Sequence, residues 1–250
     1  MPSSAPVRFL RRALRIARTE FVALSALLLI GLGVLIFAEL AEDMREGDGH
    51  AFDQWVLSAL RQGSDPSDAW GPWWLSTAAN DLTALGGISV LGLFAAIAVI
   101  FLVIQKKRLS AVLLVLGLVG GVIFSEVLKA IFERARPPEA FQAVETINAS
   151  FPSGHALLST VFYLSLAVML ARAFPSRRLK AYIIGAGVLI AVLVGLTRVY
   201  LGAHWATDVF AGWSVGAAWA MALWLVSYAV ERRQIVHHAT LIDETVVAGS

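Results

Sequence analysis

Long apolar stretches constrain this chain more than any other feature. A helix needs roughly 20 predominantly apolar residues to cross the hydrocarbon core of a bilayer. Six stretches of the 250-residue chain qualify, at about 21–40, 82–104, 109–128, 156–174, 181–201 and 209–230. Backbone in lipid must satisfy its own hydrogen bonds, so only helices and closed barrels span a membrane. These stretches are too long and too evenly apolar for barrel strands. The chain therefore reads as all-α, with six transmembrane helices in a single domain over residues 1–250. Composition agrees, with 58% hydrophobic and 15% charged residues, against about 25% charged in soluble domains.

The basic residues carry topology. Arg8, Arg11, Arg12, Arg15 and Arg18 precede the first stretch, and Lys106, Lys107 and Arg108 follow the second. Arg172, Arg177, Arg178 and Lys180 follow the fourth, and Arg232 and Arg233 follow the sixth. With six crossings all of these fall on one side, leaving Arg45, Arg61, Lys129, Arg134, Arg136 and Arg198 on the other. The positive-inside rule then places both termini in the cytoplasm. The net charge of +2 is thereby explained without a nucleic-acid partner. The chain has no Cys, which excludes disulfides, thiolate metal sites and Cys nucleophiles. The first apolar stretch is too long for a signal-peptide core and lacks a small-residue cleavage site, so it reads as a retained span.

Between the spans, residues 1–19 read as a basic cytoplasmic arm, either amphipathic on an anionic leaflet or a solvated tail. Residues 41–81 form the longest polar connection, on the extracytoplasmic side. Phe52, Val56 and Leu60 are at helical spacing there, which predicts an interfacial helix over about 51–62. Trp55, Trp70, Trp73 and Trp74 suit the headgroup level, or a lip over a lipid-entry gap. Residues 231–250 read as a cytoplasmic tail that frays. Its His237 and His238 lack further ligands at useful spacing and do not make a metal site.

Three polar clusters lie at the ends of apolar stretches, all on the side opposite the termini: 129–137 (KAIFERARP), 152–155 (PSGH) and 197–208 (TRVYLGAHWATD). Ionisable groups at membrane depth are costly and are a functional-site hypothesis by default. Lys129 and Arg136 are seven residues apart, two helical turns, so on a helix stopped by Pro137 and Pro138 they share a face. Together they suit a phosphate, with Arg136 as a planar fork and Lys129 as a point charge. They would serve equally as cations snorkelling to headgroups. Ser153 is a good N-cap, the helix start it opens can bind an anion, and Gly154 admits a phosphate close to the backbone. His155 then stands in the first turn. His204 and Asp208 are at i and i+4, neighbours on a helix face. A carboxylate on one ring nitrogen leaves the other basic, and His can itself be a covalent nucleophile. Arg198 can reach the same phosphate from the loop. Each cluster alone also fits a bland role, as a capped helix start or a structural His–Asp pair. Glu126 lies one turn before Lys129 and is expected to orient it. Arg134 and Glu133 are expected to be solvated.

Taken in order, K-x6-RP, PSGH and TR-x5-H-x3-D resemble the motifs of the type 2 phosphatidic acid phosphatase (PAP2) superfamily, whose third motif usually opens with Ser-Arg where this chain has Thr197-Arg198. The resemblance covers Lys129 to Asp208, and the six-span layout extends it to most of the chain. It implies a membrane phosphatase of the bacterial cytoplasmic membrane with its site facing the periplasm. The substrate would be a lipid phosphate or pyrophosphate of the undecaprenyl pyrophosphate, phosphatidylglycerophosphate or phosphatidic acid type. A lipid A phosphatase and a non-catalytic lipid binder or transporter are the alternatives. By resemblance, His204 attacks phosphorus and forms a phosphohistidine, Asp208 orients it, and His155 protonates the leaving oxygen. Lys129, Arg136, Arg198 and the Ser153–Gly154 backbone hold the phosphate oxygens. The three cations supply the positive charge, so neither metal nor cofactor is expected.

Overall fold

The computed structural model describes the backbone of residues 5–47, 49–63, 65–144 and 148–248, and their side chains except at 5–19, 22 and 234–248. The described residues form eight α-helices and a short 3-10 turn, Glu139–Phe141, with no strand. The helices are α1 Ala5–Glu46, α2 His50–Ala59, α3 Trp73–Ala84, α4 Ile88–Ile104, α5 Arg108–Phe132, α6 Gly154–Ala171, α7 Arg177–Tyr200 and α8 Ala206–Ala248. Five of them contain stretches long and apolar enough to cross a membrane, and the pair α3–α4 makes a sixth when counted as one. Together with its large lipid-like surface this makes the protein a multi-pass membrane protein. Leu28, Leu35, Ile97, Ile123 and Tyr182 all point outward from the bundle, where lipid rather than water removes the cost of exposing them.

The second span departs from the sequence expectation of one continuous helix over 82–104. It is bent by 49° at a break between Ala84 and Ile88, where Gly86 and Gly87 follow Leu85. Gly86 has a steric reason: a Cβ there would lie 2.4 Å from Val194 Cγ1 of α7. Residues 41–81 hold the last turn of α1, then α2 and most of α3. Trp55, Trp70, Trp73 and Trp74 in this region are exposed, as membrane-interface rings are. The tail expected to fray instead continues α8 as helix to Ala248. The faces of the 1–19 arm and the side chains of His237 and His238 lie outside the described residues.

Helix α6 is the hub. It packs on α5, α7 and α8, and α8 packs in turn on α1. Its buried Leu157, Leu158, Val161 and Phe162 form one core with Leu91 of α4, Leu114 of α5 and Val215 of α8. Without a hydrophobic driving force between helices in lipid, close approach over small residues supplies the packing. Gly212 and Gly216 of α8 provide that approach. A Cβ on Gly216 would lie 2.8 Å from Leu157 O and 3.0 Å from Thr160 Cβ, and one on Gly212 would lie 2.7 Å from Ser153 O. A second cluster, Phe37, Phe132 and Phe151, ties α1 and the end of α5 to the segment entering α6.

Gly216→Val should force α8 off α6 and destabilise the protein by about 1–3 kcal/mol. Thermal unfolding in detergent will read this as a lowered Tm. Gly92→Val is the control, because a Cβ there meets nothing within 4 Å, and it should leave the Tm unchanged.

Candidate active site

Four helix ends meet at one end of the bundle: the C-termini of α5 and α7 and the N-termini of α6 and α8. Backbone bonds fasten them together. Ser153 N, just before α6, donates to Asp208 O at 3.0 Å, and Ser150 N donates to Arg134 O at 2.9 Å. Ser153 is the N-cap of α6, its side chain accepting from Ala156 N at 3.5 Å. Lys129 stands in the last turn of α5, its Nζ 2.8 Å from Glu126 Oε1, with the Lys129 side chain 12% exposed and that of Glu126 56% exposed. A Cβ on Gly154 would lie 3.6 Å from Lys129 Nζ and 3.3 Å from Ser125 Oγ. Gly154 thus lies directly beside the ammonium, with its tightest neighbour the Ser125 hydroxyl.

His204 sits in the tight turn between α7 and α8. Gly202 makes that turn with φ +67°, and a Cβ there would collide with Phe141 O at 2.0 Å. Ala203 N and His204 N both donate to Arg198 O, at 3.0 and 3.2 Å. The His204 ring is buried, with Nδ1 3.4 Å from Asp208 Oδ2. Its Nε2 is 3.2 Å from Arg136 Nη1. One nitrogen thus faces the carboxylate and the other faces the cation that would carry phosphate. Arg136 is itself fixed, donating to Asn148 O at 2.6 Å, to Asn148 Oδ1 at 2.8 Å and to Ala203 O at 2.7 Å. His155 lies within electrostatic reach of Arg198, His204, Lys129 and Arg136. Every residue expected to handle phosphate is therefore gathered here. Burial lowers the His204 imidazole from its ordinary 6.5 to about 4, with Asp208 pulling upward and Arg136 and Arg198 pushing further down. Burial therefore favours the neutral form of the ring.

The local structure differs from the expected one at four places. Helix α5 stops at Phe132, with Glu133 left-handed at φ 45°, well before Pro137. Arg136 therefore does not share a helical face with Lys129; an irregular segment carries it back over His204. His204 precedes α8, so its contact with Asp208 joins a turn to a helix rather than two positions of one helix. Arg198 belongs to the last turn of α7 instead of the loop, and donates from Nη1 to Thr83 Oγ1 at 3.1 Å. Arg134, expected in solvent, is 6% exposed; Glu133 beside it is exposed, as expected.

Arg134 belongs to a buried network that the motif spacing did not reveal. Its Nη2 donates to Asp53 Oδ2 at 2.7 Å and its Nη1 donates to Thr207 Oγ1 at 2.7 Å and to Asp208 Oδ1. Asp53 in turn accepts from Thr207 N at 3.0 Å and from Thr207 Oγ1 at 2.6 Å. Asp53 thereby caps the first turn of α8 from a distant segment, satisfying an otherwise unpaired helix-start N–H. Asp208 Oδ2 accepts from Trp205 N at 2.9 Å. A sequence signal for Asp53 exists. The inward residues here are Asp53, Val56 and Leu57 of α2 and Leu60 just after it, an i, i+3, i+4, i+7 stripe headed by a carboxylate, and a charge on a buried stripe needs a partner. Thr83 and Asn148 carry no comparable signal, since their partners come from distant helices and loops.

This site can be placed among known proteins. The family profile described as "PAP2 superfamily" matches residues 109–232, which hold all three clusters. The chain is 37% identical over 145 residues to phosphatidylglycerophosphatase B of Bacillus subtilis, covering 57% of this chain and 70% of that one. It is 32% identical over 123 residues to undecaprenyl-diphosphatase of Sulfolobus acidocaldarius, covering 47% of this chain and 55% of that one. The fold resembles the crystal structure of a transmembrane PAP2 type phosphatidylglycerolphosphate phosphatase from Bacillus subtilis. The TM-score is 0.74 at 27% identity, covering 80% of this chain and 96% of that one. With the motif residues converging on one buried His–Asp pair and that likeness extending over fold and sequence alike, the chain belongs to the PAP2 superfamily.

Proposed function

We propose that this protein hydrolyses a phosphate monoester or pyrophosphate on a membrane lipid. The observation that carries this reading is the orientation of His204: Nδ1 faces Asp208 at 3.4 Å while Nε2 faces Arg136 at 3.2 Å. A phosphate held by Arg136, Lys129 and Arg198 over the start of α6 would present its phosphorus to Nε2. In the first step the Nε2–P bond forms and the P–O bond to the lipid breaks, with His155 giving its proton to the leaving oxygen. In the second, water attacks phosphorus, loses a proton to His155, and the P–N bond breaks to release phosphate. Phosphoryl transfer of this kind asks chiefly for positioning and charge stabilisation, and three cations around one anion provide both. Glu126 serves by holding Lys129.

The homologues act on lipid head groups, and the gathering of the site at an end of the bundle suits such substrates. Of the two named relatives, the phosphatidylglycerophosphatase is the more similar in sequence and supports a glycerophospholipid phosphate as the first substrate to test. The charge distribution supports a bacterial cytoplasmic membrane with residues 1–19 and 231–250 on the cytoplasmic side. Residues 41–81 and the site would then face the periplasm.

His204→Ala should lower turnover by on the order of 10⁴-fold, and wild-type enzyme quenched during turnover should carry an acid-labile phosphate. Unchanged turnover in that variant sinks the reading. EDTA should leave activity intact. Side-by-side kcat/KM values for phosphatidylglycerophosphate, undecaprenyl pyrophosphate and phosphatidic acid will rank the substrates, with the first expected to lead.

Orientation has its own measurement, helped by the absence of native Cys. Glu139 and Arg177 are both exposed, near opposite ends of the bundle. In intact cells with a permeabilised outer membrane, an impermeant maleimide should label Glu139→Cys and spare Arg177→Cys. The reverse pattern would invert the topology.

A further inference from the structure

The buried cluster around Arg134 has a charge imbalance. Asp53 and Asp208 are 1% and 0% exposed, and the one guanidinium between them, on Arg134, bonds both. Two carboxylates against one cation leave a single negative charge inside the protein. Burying an excess charge is expensive, and Arg136 offsets part of it through its attraction to Asp208. The groups facing His204 are Arg136 from the segment after α5, His155 from α6, Arg198 from α7 and Asp208 from α8. Lys129 is matched by Glu126, 2.8 Å from its Nζ, and Arg136 and Arg198 would be matched by the phosphate dianion. The excess negative charge of the Asp53–Arg134–Asp208 cluster then has one remaining counterpart, the imidazolium-like ring that forms when Nε2 is phosphorylated.

We propose that Arg134 and Asp53 are positioning residues of the reaction. Arg134 locks the Asp208 carboxylate against His204, and Asp53 holds the cluster one negative charge in excess to neutralise the phosphorylated ring. This rests on His204 being the nucleophile. The geometry gives each residue a separate task. Asp208 has one oxygen on Arg134 and the other on Trp205 N, 2.9 Å away, and that second oxygen is the one nearest His204 Nδ1. Without the guanidinium, the carboxylate keeps only its bond from Trp205 N and loses the grip on its other oxygen. Asp53 does not touch His204 in this arrangement; it acts through Arg134 and Thr207. It also ties α2 to the first turn of α8, so the outer segment and the nucleophile turn share one anchor.

The test is a pair of variants that remove opposite charges. Asp53→Asn removes a negative charge and destabilises protonated His204, so the acid limb of kcat/KM moves to lower pH. Arg134→Gln removes a positive charge and favours protonated His204, so the acid limb moves to higher pH. Turnover should fall about tenfold in the first and roughly 100-fold in the second, with KM for a soluble phosphate monoester within about twofold of wild type. A purely structural role would lower activity without opposite shifts. The inference is overturned if folded Asp53→Asn and Arg134→Gln keep wild-type turnover, or if their acid limbs stay in place or move together. Should Arg134→Gln fail to fold, Arg134→Lys carries the test: the charge is kept and the two-pronged grip is lost, so turnover falls with the acid limb unmoved. An unchanged turnover or a displaced limb in that variant overturns the inference. His204→Ala run in parallel separates the two levels. If it stays active, the nucleophile reading itself fails; if it is inactive while the limbs are unmoved, only the present inference fails.

Discussion

The ion pairs of Arg134 with Asp53 and Asp208 are the interaction on which the candidate-site end of this protein depends. Charges removed from water must be repaid by close partners and saturated hydrogen bonds, and here each acidic oxygen has a donor. The network joins α2, the segment after α5 and the start of α8. His204 lies between two of these elements, in a turn with no regular helix to hold it. Its position is set by what surrounds it: Asp208 on one nitrogen, Arg136 on the other, and the end of α7 bonded to its backbone. Removing a carboxylate or the guanidinium from this set leaves a buried charge unmatched.

The membrane part of the fold serves this end by close packing. Helix α6 can be surrounded by α5, α7 and α8 because glycines face it at the contacts, with Gly212 against Ser153 and Gly216 against Leu157. The same contact at Gly212 brings the N-terminus of α6 beside the first turn of α8. Packing in lipid and assembly of the site are thus one event. The bend between α3 and α4 contributes in the same way, bringing Thr83 to Arg198 at 3.1 Å while Gly86 lets the break lie against Val194 of α7.

Much was legible in advance, for physical reasons that differ by level. Spans are local: twenty apolar residues in a row admit few structures in lipid, and the six stretches correspond to five long helices and one bent pair. The pairing of His204 with Asp208 and of Lys129 with Glu126 also lay within short spacings. The failures concern helix ends and one buried cation. Pro137 did not set the end of α5; a left-handed Glu133 did so four residues earlier. Arg136 reaches His204 by an irregular path that no periodicity describes. Arg134, two residues away, points inward because a carboxylate 81 positions earlier in the chain receives it.

The sequence by itself determined the spans, the family motifs and the residue types able to hold and attack a phosphate, because hydropathy and short-range spacing are properties of neighbouring residues. Only the tertiary structure decided which cations are buried, which nitrogen of His204 faces the carboxylate, and that Asp53 and Thr83 belong beside the site. Those outcomes depend on side chains from separate helices meeting in a space that excludes water, where the worth of each charge is set by its partners rather than by its place in the chain.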